Sequence, residues 1–102
     1  MMLPKPQKIV SRAIRESARC QQCTLRIPGV CNHNPETTVF AHLNTKYKGM
    51  GNKSPDIFGV YACSACHAML DSSRVKISDQ FNALIETQMR LFDKNLLTTT
   101  RK

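Results

Sequence analysis

Ala62-Cys63-Ser64-Ala65-Cys66-His67-Ala68-Met69-Leu70-Asp71 is the stretch on which the reading of this chain turns. A Cys-x-x-Cys turn offers two thiolates from one tight knuckle, half of what a tetrahedral zinc ion needs. His67 follows directly and Asp71 stands four residues on. On a helix the two share a face, so an imidazole and a carboxylate could chelate a divalent ion with open positions left for catalysis. The remaining pair of zinc ligands must come from Cys20, Cys23 and Cys31. Spacing alone favours Cys20-Gln21-Gln22-Cys23, a second Cys-x-x-Cys. Cys23 with Cys31, across an Ile27-Pro28-Gly29 turn, is the alternative.

Upstream, Thr37 to Leu43 is β-branched and apolar, which predicts a strand. Alternation puts Phe40 and His42 on one of its faces and Val39, Ala41 and Leu43 on the other. Ile57 to Ala62 predicts a second strand, and the two make an antiparallel hairpin. The long polar connection from Asn44 to Pro55 carries Lys46, Lys48 and Lys53. His42 would face the His67–Asp71 point, where a neutral imidazole could take a proton from water attacking a phosphodiester. Alone, a strand histidine is more often a hydrogen-bonded structural residue, His67 could itself bind zinc, and Asp71 could cap a turn.

Two helices flank this core. Gln7 to Arg19 holds no Gly or Pro, and Lys5, Lys8, Arg12, Arg15 and Arg19 step by three or four into one basic stripe. Such a stripe is either a solvated face or a nucleic-acid contact. Residues 78–97 predict a longer helix capped by Ser78, in which Phe81, Leu84, Ile85, Met89, Phe92 and Leu96 repeat at helical spacing. Core packing is the simplest use of that repeat.

The 102 residues suit one domain spanning 1–102, too small for a large core and helped by an internal staple. Fifteen Lys and Arg against seven Asp and Glu give a formal charge of +8, which favours a polyanionic partner, nucleic acid above all. No run of 18 apolar residues exists, so a membrane is not the expected partner. Met1-Met2-Leu3-Pro4-Lys5-Pro6 has no apolar run behind it, and the cysteine count is odd. The expectation is a cytoplasmic chain whose cysteines bind metal rather than form disulfides.

The order strand histidine, hairpin, Cys-x-x-Cys-His, short helix with an acid resembles the HNH endonuclease motif. More narrowly, the chain resembles the YbcO-like nucleases of phages and prophages over about residues 12 to 74. The likeness rests on Cys23-Thr24-Leu25-Arg26-Ile27-Pro28-Gly29-Val30-Cys31-Asn32, Asn34-Pro35-Glu36-Thr37, Ala41-His42, Pro55-Asp56 and Ala62 to His67. The resemblance implies an α+β fold: a small zinc-stapled ββα-metal domain with a motif core at about 20–74, a basic N-terminal helix at about 7–19 and a C-terminal helix at about 78–97. It implies zinc on Cys23, Cys31, Cys63 and Cys66, because the family position matching Cys20 is not a cysteine. It further implies a catalytic Mg2+ or Mn2+ on His67 and Asp71, DNA as substrate, a recombination protein as partner, and work in the bacterial host cytoplasm. His42 would be the general base; Arg12, Arg15, Lys46, Lys48 and Lys53 are the candidate DNA contacts.

Two departures from the wider HNH pattern stand out. Ala41 occupies the place before the base histidine where a metal-binding Asp or His is usual. Asp56 is the nearest polar candidate for the middle Asn, and so a further candidate metal ligand. Ala41 favours the rival class, a non-catalytic zinc module that binds nucleic acid or a recombination protein. A thiol–disulfide protein built on Cys20 and Cys23 is the remaining class, and no βαβ pattern supports it.

Overall fold

The computed structural model describes residues 10–44 and 54–99. Along the chain come α1 (Arg12–Glu16), a 3₁₀ turn at Pro35–Thr37, β1 (Val39–His42), β2 (Gly59–Ala62), α2 (Ser64–Asp71) and α3 (Ile77–Asp93). This is a small α+β arrangement of a two-stranded sheet and helices. Lys5, Lys8, Lys46, Lys48 and Lys53 lie outside the described residues.

α1 is shorter than its composition suggests. Ser11 caps it, its Oγ accepting from the Ile14 N–H at 3.2 Å. Past Glu16, Ser17 turns its hydroxyl back onto the Ile14 carbonyl at 2.6 Å, and Cys20 takes φ 59°, which a helix cannot continue through.

β1 and β2 pair antiparallel with Val39 opposite Ala62, Phe40 opposite Tyr61, Ala41 opposite Val60 and His42 opposite Gly59. Directly opposed residues share a face. Phe40, His42 and Tyr61 therefore point to the side covered by α1, where the Tyr61 hydroxyl meets Ser17 Oγ at 2.8 Å. Ala41, Val60 and Ala62 point the other way, into a core built with Cys23, Leu25, Leu43, Cys63, Cys66, Val75 and Ala83. Gly59 is required at its position, because a β-carbon there would run into the Phe40 ring.

The outer edge of β2 is not left open. Thr24 donates its N–H (2.7 Å) and its hydroxyl (3.0 Å) to the Tyr61 carbonyl. Thr87 of α3 accepts from the Tyr61 N–H at 3.3 Å and meets Thr24 Oγ1 at 3.0 Å. Two buried threonines thus replace a third strand, and they set how closely α3 approaches the sheet.

Both later helices end in Schellman motifs. After α2, Ser73 at φ 60° is followed by Arg74, whose N–H reaches the Met69 carbonyl at 3.2 Å. After α3, Asn95 at φ 59° is followed by Leu96, bonded to the Leu91 carbonyl at 2.9 Å. That motif stops α3 at Asp93, short of the expected 97. Its start also differs: Lys76, without a side-chain cap bond, takes the cap position in place of Ser78.

The buried face of α3 corrects the sequence expectation. Ala83, Thr87 and Leu91 face the core, while Phe81, Ile85, Met89 and Phe92 are exposed. A two-stranded sheet is narrow, and close contact with its edge selects a small residue and a hydrogen-bonding one over large apolar side chains. Removing the Thr87 hydroxyl tests this. Thr87→Val keeps the shape but leaves the Tyr61 N–H without that acceptor in a dry site, and should cost about 1–3 kcal/mol in urea unfolding. A change within a few tenths would show that the edge is satisfied without Thr87.

Candidate functional site

The knuckle from Cys23 to Cys31 is shaped by two left-handed residues. Arg26, at φ 44°, turns its N–H onto Cys23 Sγ at 3.4 Å. Pro28 and Gly29 then form a tight turn closed by Val30 N–H on the Ile27 carbonyl at 3.0 Å, with Gly29 at φ 75° as the third residue of a type II turn requires. On the other side Cys63 is the N-cap of α2, its Sγ accepting from the Cys66 N–H at 3.4 Å.

These elements bring Cys23, Cys31, Cys63 and Cys66 together, with all four sulfurs within 4.8 Å of one another. Cys63 and Cys31 sulfurs are 3.8 Å apart. Thiolates arranged tetrahedrally at the usual zinc–sulfur bond length of about 2.3 Å would also stand about 3.8 Å apart. The set is positioned to hold a metal ion. Cys20 is exposed and outside it. The double Cys-x-x-Cys favoured by spacing alone is thus not what the fold builds.

Burial, the largest influence on the cluster, pushes the Cys31 and Cys66 thiols up. The His33 and Ile27 backbones respectively oppose it, and neighbouring cysteines add to it. Burial acts on Cys63 too, but N–H donation from the Cys66 and Asn32 backbones brings it down to about 7. A thiolate is therefore favoured at Cys63 beside the raised thiols of Cys31 and Cys66, and a divalent cation would have to displace the protons of those two.

Arg26 also clamps the knuckle to α3. It grips both carboxylate oxygens of Glu86, one at 2.8 Å, and Arg90 reaches the same carboxylate at 2.7 Å. Arg26, then Arg90, holds the Glu86 carboxyl below its ordinary range against the opposing effect of burial. Nothing in the sequence pointed to this pairing across sixty residues of chain.

His42, at the end of β1, is held by Asp56, with Nε2 and Oδ1 2.6 Å apart. Asp56 is 5% exposed, and its other oxygen accepts from the Ser11 N–H at 2.6 Å and forms an ion pair with Arg15 Nε at 3.3 Å. One buried carboxylate thus joins the strand histidine, the cap of α1 and its central arginine. The Phe40 ring packs edge-on to His42 at 5.3 Å. Phe40 also lines a cleft of about 330 Å3 with Arg12, Arg15, Glu16, Arg19 and Thr38; His42 and Asp56 are not among its lining residues. Arg12 also pairs with Glu16 on the surface.

His67 and Asp71 meet on α2, Nε2 to Oδ2 at 3.5 Å, both solvent-accessible. Among the described residues no third imidazole, carboxylate or thiolate joins them at ligand spacing. The structure therefore builds two groups. α2 packs on the Ala41 face of the hairpin. His42 points to the α1 face, where, among the described residues, no hydrogen bond or ion pair links it to His67 or Asp71. Alternation within β1 carried this information. Ala41, not His42, is the strand residue turned toward α2, and it is 2% exposed in the core.

Residues 12–101 match the family model described as "Putative nuclease YbcO". Proteins of that description from Escherichia coli strain K12 and from Enterobacteria phage 82 are each 52% identical over 59 residues, 57% of this chain. The matched stretch spans 62% of the length of either relative. A solved structure described as "a putative bacteriophage protein" from E. coli K-12 MG1655 superposes with a TM-score of 0.64 at 35% identity, covering 81% of this chain and all of that one. The chain belongs to the YbcO family of phage and prophage proteins named as nucleases.

Proposed function

We propose that this chain is an HNH-type endonuclease that hydrolyses DNA phosphodiesters with the help of a divalent ion, in phage recombination or DNA processing inside the bacterial host. The observation that carries it is the buried Asp56 holding both His42 and Arg15, the latter lining a cleft with Arg12 and Arg19. A carboxylate accepts only, so the Nε2 it holds carries the proton and the neutral ring keeps its lone pair on Nδ1. From there His42 can take a proton from water as the oxygen forms its bond to phosphorus and the 3′-oxygen leaves. Arg15 spends Nε on Asp56 and retains its terminal donors for a phosphate, with Arg12 and Arg19 extending the cationic path. Lys46, Lys48 and Lys53 would add contacts from the hairpin connection.

His67 and Asp71 offer a divalent ion such as Mg2+ or Mn2+ two donors of suitable hardness, solvent and phosphate completing the shell. Bound there, on the α2 side of the hairpin, the ion would neutralise phosphate charge; a phosphodiester held by His42 on the α1 side would reach it only by passing around the edge of the hairpin. Asp56 is assigned to positioning His42 rather than to metal, because its oxygens are already engaged. Zinc is the ion proposed for the four cysteines, as a staple, within one domain covering the chain.

A second reading has a specific observation behind it. Ala41 stands where an extra metal ligand would be, and His42 and His67 belong to opposite faces of the hairpin. A zinc module that binds DNA or a recombination protein without cutting would show the same features.

Four measurements test these assignments. One zinc should co-purify per chain; Cys23→Ser should lose it and Cys20→Ser keep it, and apparent zinc affinity should fall as pH drops and the thiols reclaim protons. Zinc retained by Cys23→Ser would sink the staple assignment. For the chemistry, His42→Ala should slow plasmid nicking roughly 10²- to 10⁴-fold with zinc content and DNA affinity near normal. Asp56→Asn should act in the same direction while lowering the melting temperature, since α1 loses its anchor. A folded His42→Ala that nicks at the parental rate would exclude the base. Asp71→Asn should raise the Mg2+ or Mn2+ concentration needed for half-maximal rate, and an unchanged requirement would place the ion elsewhere. Finally, affinity for DNA should fall steeply with salt, and Arg12→Ala or Arg19→Ala should reduce the slope by roughly one unit for each phosphate no longer neutralised.

A further inference from the structure

Thr38 is a polar residue that the fold does not use. It is 5% exposed, and its Oγ1 is the one buried side-chain oxygen or nitrogen among the described residues that meets no hydrogen-bond partner. Burying a hydroxyl in that state is unfavourable, and valine would fill the same space without the penalty. The extended backbone at Thr38, with φ −73° and ψ 130°, leads directly into β1. Alternation therefore sets its side chain on the side of Phe40 and His42, facing α1. There Thr38 lines the cleft of about 330 Å3 together with Arg12, Arg15, Glu16, Arg19 and Phe40.

We propose that this cleft seats one unpaired nucleotide of a DNA strand, its phosphate taken by the arginines and Thr38 Oγ1 and its base laid against Phe40. The inference rests on the reading of the chain as a DNA-acting protein and adds the form of DNA that it selects. The charge suits a single phosphate. Three guanidiniums meet two carboxylates, Glu16 beside Arg12 at 2.9 Å and Asp56 beside Arg15 at 3.3 Å, which leaves one positive charge over. The volume stands at the small end of ligand sites, which run from about 300 to 1,000 Å3.

Depth is what discriminates against a continuous duplex. Arg12 and Arg19 are exposed and can hold any phosphate that passes, but Thr38 is buried, and a ligand has to enter the cleft to meet it. A paired base stays in its stack, whereas an unpaired one can swing out and pack on an aromatic side chain. Phe40 is half-buried, its ring edge-on to His42 at 5.3 Å and to Tyr61 at 6.3 Å, so the surface it offers is held in place. The nucleotide seated there is a neighbour of the one whose phosphodiester His42 would attack.

Fluorescence anisotropy of the zinc-loaded full chain, without Mg2+ or Mn2+ so that no strand is cut, can compare a duplex ending in an unpaired flap with a blunt duplex of equal phosphate number. The flap should bind about tenfold or more tighter. Thr38→Val should lower flap affinity about tenfold, as expected for one hydrogen bond to a charged group, while its melting temperature stays or rises. Phe40→Leu should lower flap affinity by a similar factor through lost stacking. Equal binding of flap and blunt duplex, or flap affinity untouched in both variants, would overturn the inference and leave the DNA reading standing. Binding to neither duplex would remove both. A Thr38→Val chain with a lowered melting temperature would show the hydroxyl serving the fold, and would also overturn the inference.

Discussion

Everything in this structure depends on four sulfurs meeting at one point. Two strands of four residues and a five-residue helix cannot by themselves bury enough apolar surface to fix the positions of their neighbours. The cluster of Cys23, Cys31, Cys63 and Cys66 ties the knuckle to the junction of β2 and α2, and the apolar core is assembled around those cysteines. The knuckle then delivers Thr24 to the edge of β2 and Arg26 to Glu86 of α3. The position of α3 therefore follows from the clasp as much as from its own packing.

A second, smaller tie works on the opposite face of the hairpin. Asp56 meets three partners, hydrogen bonds to a backbone cap and an imidazole and an ion pair to an arginine. Burying such a carboxylate is tolerable only because its charge is answered on both oxygens. The same group that fixes His42 also fixes the entry of α1, so orientation of the proposed base and placement of the cationic helix are one structural problem with one solution.

What the sequence revealed, and what it hid, follows the range of the interactions involved. The Cys-x-x-Cys turn, the hairpin strands and α2 are local patterns, and they stand within a few residues of where composition puts them. The four-cysteine set was legible only through family likeness, since spacing alone prefers Cys20, which the left-handed turn at its own position carries out of the cluster. Asp56 was visible as a polar residue before a strand, but its bond to His42 depends on how the hairpin connection returns. The face of α3 was misread because helical periodicity reports that an apolar stripe exists, not that the rest of the chain covers it. Ala83 and Thr87 have weak hydropathy and become core residues only through their closeness to the sheet edge.

The register of the hairpin is held at several points among the described residues. Leu43 and Phe58 are bonded at the base, Ser54 reaches back to the Leu43 carbonyl, and the strands are held further along by the cysteine clasp and the two threonines. The two ends of the connection are thus pinned to each other at its base, and the entropy of closing a segment between fixed ends grows only slowly with its length. A change in the length of that segment should therefore cost the hairpin little, while the histidine and its carboxylate stay bonded to each other.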